Sequence, residues 1–380
     1  MSETPASEST LHEPYGLKGL DLPNRAVLAP MTRISAHGDG RATERMRDYY
    51  RSFAEGGFGL LVTEGIFTDT AHSQGYLDQP GLATPEDGES WASVTAAVHE
   101  QGSSIVAQLM HAGPQGQGNA YTSGLRSASA VRARGEQAGM YRGSGPYEVP
   151  DALSAAEIGE VTSSFAAAAV RAREAGFDGV EIHGANGYLV DAFLTDYLNE
   201  RTDGYGGSPL ARTRLAREII EAVRAAVGND FVVGIRISQG KVSDATHRWS
   251  GGVAEAETIF GALAGTAVDY VHTTEWKANA PAFPDEDARS LSQLAREFAP
   301  TLTVIANGHL DTGAEAAQSL GDGGADLVAI GKAALAQHDW PQRVQQGREV
   351  LEPLAPSAFG ELATLQDWEL RVPEPASSSR

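Results

Sequence analysis

The sequence predicts a closed (β/α)8 TIM barrel with a long lid-like insertion after its third strand. Two observations predict it. Short β-branched apolar runs alternate with amphipathic helical stretches, the pattern of a parallel sheet with crossover helices. There are eight such runs, and eight strand–helix units favour closure, although an open doubly wound sheet would share the same spacing.

Strands are expected at Arg25–Pro30, Leu60–Glu64, Ile105–Leu109, Gly179–His183, Val232–Ile237, Tyr270–Thr273, Thr303–Asn307 and Leu327–Gly331. Most are rich in Val, Ile and Leu, as strands buried on both faces must be. Helices read as clearly. Leu215, Ile219, Ile220, Val223 and Val227 share one helical face, and Gly228 follows as a C-cap. Ser154 and Glu157 have capping-box spacing. The stretch 112–153 breaks the rhythm with many Gly, Ser and Pro residues. Following the third strand, it would lie at the C-terminal face of the barrel and read as a lid, with a decorative insertion as the alternative. One domain over 13–365 is expected, between a polar tail at 1–12 and another at 366–380.

Bulk properties narrow the function. The net charge of −21 over 380 residues opposes nucleic-acid binding, which needs Lys and Arg against phosphates. No run approaches the roughly 18 apolar residues of a membrane helix, and the N-terminus lacks the apolar core of a signal peptide. A cytoplasmic protein with no membrane partner is expected. The absence of cysteine excludes disulfides, thiolate nucleophiles and Cys-ligated zinc or iron–sulfur clusters.

The chemistry concentrates after the fourth strand, in Glu181-Ile182-His183-Gly184-Ala185-Asn186-Gly187-Tyr188-Leu189. A lone histidine at a strand end is usually structural. Here His183, Asn186 and Tyr188 cluster within six positions at the catalytic end of a barrel strand, and Gly184 and Gly187 allow a turn sharper than a helix. His183 and Asn186 can each donate to one acceptor oxygen. Tyr188 offers a phenolic proton, kept at neutral pH by an ordinary pKa near 10. Two donors at a carbonyl and one nearby acid suit polarisation and protonation of a conjugated carbonyl compound.

This His-x-x-Asn-x-Tyr, followed by Asn199-x-Arg201-Thr202-Asp203-x-Tyr205-Gly206-Gly207-Ser208, resembles the old yellow enzyme family of flavin-dependent ene-reductases, over about Leu17 to Pro341. The resemblance implies bound FMN, NADPH or NADH as hydride donor, and a small-molecule enone as substrate. His183 and Asn186 would hold the enone oxygen while Tyr188 supplies the proton. Pro30, Met31 and Thr32 would run beside the flavin, with Thr32 near O4 and N5. Gly65 would give it a backbone contact and Gln108 would read its pyrimidine edge. Arg236 would sit near N1 and O2, where a fixed cation favours the anionic reduced ring; a salt bridge within the barrel is the alternative. Asn307-Gly308 and Gly331-Lys332 close strands seven and eight, where barrels often bind phosphate. The family usually carries Gly-Arg at the second of these, and Lys332 offers a point charge instead of a fork. His309 also departs from the small or aliphatic residue expected there.

The iron–sulfur branch of the same barrel needs a cysteine cluster, which this chain lacks. No strand–GxGxxG–helix unit supports a dinucleotide fold. A nitroester or nitroaromatic reductase on the same site, and a flavin-free barrel binding protein, stand as alternatives. A homo-oligomer is compatible with the sequence. His111 could line the pocket or hold the lid; Arg201, Asp203 and Arg212 read as a structural ion-pair network; Trp249 and Trp276 suit packing as well as substrate contact. Tyr121, Tyr141, Arg126, Arg132 and Arg134 of the insertion are weaker candidates for contact with substrate or NADPH phosphate.

Overall fold

Eight parallel strands close on themselves: β1 (Ala26–Leu28), β2 (Leu60–Val62), β3 (Ser104–Met110), β4 (Gly179–Asn186), β5 (Val232–Lys241), β6 (Tyr270–Thr274), β7 (Thr303–Asn307) and β8 (Leu327–Ile330). Each pairs in parallel with its neighbour in sequence, and β8 returns to β1 through Val328↔Ala26. The computed structural model describes residues 9–370. Major helices follow the strands: α1 (Glu44–Glu55), α2 (Pro85–His99), α3 (Ala155–Glu174), α4 (Arg214–Val227), α5 (Gly252–Ala264), α6 (Leu291–Phe298), α7 (Gly313–Gly321) and α8 (Trp340–Gln345). The capping box of Ser154 and Glu157 opens α3, and Gly228, at φ +74°, ends α4. All five predicted apolar residues of α4 are buried.

An N-terminal hairpin, Tyr15–Leu17 with Leu20–Leu22, stoppers the N-terminal mouth of the barrel. Its Leu17 and Leu22 join an interior cluster with Val27, Leu60, Val106, Val232, Ile305 and Leu327. Tyr15 hydrogen-bonds Thr303, the first residue of β7. With that end filled by apolar side chains, the C-terminal ends of the strands are left to build a site.

Two strands run three or more residues further than the sequence reading places them. β4 continues to Asn186 and β5 to Lys241, pairing Arg236↔His183, Ile237↔Gly184 and, after a bulge, Lys241↔Asn186. The turn therefore begins at Asn186 (φ +64°) and Gly187 (φ +90°), not at Gly184. Asn is among the few non-glycine residues that take this backbone region readily. At Gly187 an added Cβ would also meet the Gln115 amide at 2.8 Å.

The tails are shorter than read. Thr10–His12 forms a 3-10 turn with Leu11 fully buried, and the Leu11 carbonyl accepts from Arg25 N. At the other end Asp367–Leu370 forms a turn whose Glu369 is buried against Arg33. One apolar side chain and one buried ion pair anchor what composition alone marks as loose. The remainder of both predicted tails, 1–8 and 371–380, lies outside the described residues. The insertion 112–153 carries a two-residue parallel pair, Arg126–Ser127 with Asp151–Ala152, and a 3-10 turn at Gly139–Tyr141. Among the described residues, no helix is long and apolar enough to cross a membrane.

Candidate active site

A cavity of about 350 Å3 opens at the C-terminal end of the barrel. Its wall brings together Pro30, Met31, Thr32, Gln108, His183, Asn186, Tyr188, Arg236 and Lys332, with Tyr141 and Met140 from the insertion. A second cavity of about 210 Å3 shares Pro30, Met31, Arg236 and Lys332 with the first, and adds Asn307, Gly308, Gly331, His309 and Trp276. Gly65 is not part of either wall. Its carbonyl accepts from Gln79, and a Cβ there would meet the Met110 sulfur at 2.5 Å.

His183 ends the regular part of β4 and is 3% exposed. Burial, then the Arg236 cation, pushes its imidazole down to about 3, so the ring is neutral. Nδ1 lies 3.4 Å from the Ala185 N–H, an arrangement that makes Nδ1 the acceptor and leaves Nε2–H as a donor. The Asn186 backbone is held on both sides: its N–H donates to Ser238 Oγ (2.8 Å), and its carbonyl accepts from Gln115 Nε2 (2.7 Å) and Val242 N (2.9 Å). Its side-chain amide forms the cavity wall. Tyr188 begins the short helix Leu189–Leu194 and packs edge-on to His183, ring centroids 4.8 Å apart. Its hydroxyl hydrogen-bonds that of Tyr76 at 2.6 Å. Burial raises the Tyr188 phenol above its ordinary value, so it keeps its proton.

The turn carrying these groups rests on a buried ion pair. Lys241 Nζ donates to both Asp191 oxygens at 2.7 Å, and both side chains are fully inaccessible. Asp191 also accepts from the Gly187 N–H at 2.6 Å. Burial pushes its carboxyl upward, against the pull of Lys241.

Beneath the cavity, Arg236 is buried and, among the described residues, forms no ion pair with a carboxylate. Its Nη2 donates to Asn307 Oδ1 (2.7 Å) and Thr274 Oγ1 (3.1 Å), and its Nε has no partner. The predicted alternative, a salt bridge within the barrel, is not formed. Burial pushes the guanidinium down to about 10, with Glu181 the main counterweight. Asn307 thus serves as a bracket for Arg236, and its Nδ2 is committed to Ala329 O (2.8 Å). Gly308, at φ +138°, is required by close packing: a Cβ would lie 2.0 Å from the Glu275 carbonyl. Lys332 is exposed, its ammonium 5.2 Å from the Trp276 ring centroid, and it forms no ion pair among the described residues.

Several weaker candidates separate. His111 is buried outside the cavity; its Nδ1 accepts from Gly113 N and its carbonyl from Leu189 N, so it ties the start of the insertion to the short helix Leu189–Leu194. Arg201 pairs with Asp203, but Arg212 pairs with Glu255 instead. Arg126 and Arg134 are paired with Asp151 and Asp244, and Tyr121 hydrogen-bonds Asp39 O; neither they nor Arg132 reach the cavity wall. Trp249 packs on Phe260 in the core. Tyr76, Gln115, Asp191, Lys241, and the wall residues Leu354, Phe359 and Ala363 went unread. Of these only Asp191 carried a signal, as a lone carboxylate within the apolar run Leu189–Leu194.

The residues fit FMN. A buried guanidinium that touches no carboxylate among the described residues favours an electron-rich ring edge, and the two adjoining cavities suit a flat ring system and a polar tail.

The family described as NADH:flavin oxidoreductase / NADH oxidase matches residues 10–350. A 12-oxophytodienoate reductase of Arabidopsis thaliana is 34% identical over 345 residues, covering 87% of each chain. The old yellow enzyme homologue of Zymomonas mobilis superposes with a TM-score of 0.84 at 29% identity, covering 96% of this chain and 99% of that one. Morphinone reductase, solved in complex with tetrahydroNAD, gives a TM-score of 0.81 at 31% identity, covering 92% and 93%. With the family matched over nearly its whole length, the chain belongs to the NADH:flavin oxidoreductase / NADH oxidase family and, within it, to the old yellow enzymes.

Proposed function

We propose that this cavity reduces the activated C=C bond of α,β-unsaturated carbonyl compounds, with NAD(P)H as the source of hydride. The reading is carried by one observation: a neutral imidazole, a carboxamide and a protonated phenol line a single cavity that a buried, unpaired guanidinium underlies. FMN, when bound, would supply the two-electron hydride chemistry between the nicotinamide and the alkene.

The protein's share is orientation, polarisation and one proton. His183 Nε2–H and the Asn186 amide hold the carbonyl oxygen, and their dipoles draw electron density away from the β-carbon. Tyr188 O–H delivers the proton that completes the saturated product, and Tyr76, at 2.6 Å, steadies the phenolate left behind. Arg236 and Gln108 would hold the flavin's pyrimidine edge, with Pro30, Met31 and Thr32 lining the wall beside the ring. Gly331, Lys332 and Gly308 would hold the phosphate, and Asn307 would act through Arg236. Met140 and Tyr141 let the insertion 112–153 act as a lid that excludes water. The predicted flavin-free alternative is set aside by family membership.

The experiment is Tyr188→Phe, followed by stopped flow in both half-reactions. Flavin reduction by NADPH keeps its wild-type rate, and alkene reduction slows by about 10²–10⁴-fold, the usual worth of a positioned acid. Alkene turnover at the wild-type rate sinks the assignment.

A further inference from the structure

Among the buried acids that the mechanism above leaves unused, one stands beside the site. Glu181 lies two residues before His183 on β4 and is fully inaccessible. Both of its oxygens are engaged by other barrel strands. Oε1 accepts from Gln108 Nε2 at 2.8 Å. Oε2 accepts from the Tyr270 hydroxyl at 3.0 Å and lies 2.8 Å from His272 Nδ1. Tyr270 reaches it because residue 234 is glycine: a Cβ there would fall 2.0 Å from the Tyr270 ring. Burial alone would raise the Glu181 carboxyl, but His272, Arg236 and Gln108 outweigh it and hold it at about 2, so it is an anion.

Fixed in this way, the anion determines which end of the Gln108 amide meets the cavity. Flipping that amide would set its oxygen against a carboxylate oxygen, two acceptors at hydrogen-bond distance with no proton between them. Gln108 Oε1, which accepts no hydrogen bond among the described residues, is therefore the atom left on the cavity side. The same anion balances Arg236 without touching it, so the guanidinium keeps its donors for a ligand.

We propose that Glu181 is a positioning residue for the pyrimidine edge of the flavin: it locks Gln108 as a hydrogen-bond acceptor that requires an N–H on the bound ring. This rests on the functional reading above. The acceptor would be met by the flavin N3–H, so a ring methylated at N3 should be refused.

The test is fluorescence titration of the apoprotein with FMN and with N3-methyl-FMN, which needs no turnover. Wild type is expected to prefer FMN by at least tenfold. Glu181→Gln, which lets the Gln108 amide turn over, should narrow the preference below threefold, and should move the midpoint potential of bound FMN to more positive values as a nearby negative charge is lost. Tyr270→Phe keeps the carboxylate and should keep the preference. A wild type that binds both flavins equally overturns the proposal without any variant, and so does a Glu181→Gln protein with the full preference. Failure to bind FMN at all would instead overturn the functional reading.

Discussion

Replacing Lys241 by Met tests whether the Asp191–Lys241 pair holds the catalytic turn. The ammonium touches both carboxylate oxygens at 2.7 Å, and neither side chain has any solvent access. Removing the cation leaves Asp191 with the Gly187 N–H and Thr195 as partners for a charge sealed from water. Breaking such a pair from one side costs about 3–5 kcal/mol. Unfolding entropy of about 2.1 cal/mol/K per residue gives roughly 0.8 kcal/mol/K for a chain of this length, so Tm should fall by about 4–6 °C. The assay is a thermal scan by circular dichroism with the same FMN excess for every variant, because ligand binding itself raises Tm. The double variant Asp191→Leu, Lys241→Met replaces the pair by apolar groups and should recover most of the loss. A single variant that loses less than about 1 °C, or a double variant no better than it, refutes the reasoning.

Other outcomes follow from the same geometry. His183→Ala combined with Asn186→Ala removes two hydrogen bonds of about 1 kcal/mol each, so a phenolic ligand should bind roughly thirtyfold more weakly by difference titration of the flavin band. His183 has a folded pKa of about 3, below its unfolded value near 6.5, so the folded state favours the neutral ring and stability is lost as pH falls from 6.5 toward 3. Against a His183→Gln control, urea unfolding should show wild type losing about 1.4 kcal/mol more per pH unit in that window; parallel pH curves would contradict a buried neutral imidazole. Lys332→Arg substitutes a fork for a point charge and should tighten FMN about two- to tenfold by fluorescence titration.

The barrel was legible because its strands are buried on both faces and its helices on one, so hydrophobic period alone separates them. Strand lengths were not. β4 and β5 continue past His183 and Ile237 because a bulge lets Lys241 pair with Asn186, and such register shifts leave no apolar signature. His183, Asn186, Tyr188, Gln108 and Arg236 were found through a local motif or a polar residue in an apolar strand. Tyr76 was missed because it stands in an irregular segment, and Phe359 because it ends a four-residue 3-10 turn, too short for a pattern to read. Glu369 was assigned to a tail because nothing in its neighbourhood announces that Arg33, more than 300 positions earlier, would bury it. Gly308 stands at a strand end where barrels often bind phosphate, but the reason a side chain is forbidden there, the nearby Glu275 carbonyl, leaves no trace in the sequence.

The burial of Glu181 and Arg236 also separates two electrostatic regimes in one molecule. Dissolved salt screens exposed charges within about 8–10 Å at physiological strength but hardly reaches ions held in the protein interior. The strongly negative exterior repels an anionic nicotinamide dinucleotide on approach, and added electrolyte weakens that repulsion. The field in the cavity that Arg236 lines stays as it was, so on the proposed reading ionic strength would change how often the donor arrives without changing the environment in which its electrons are received.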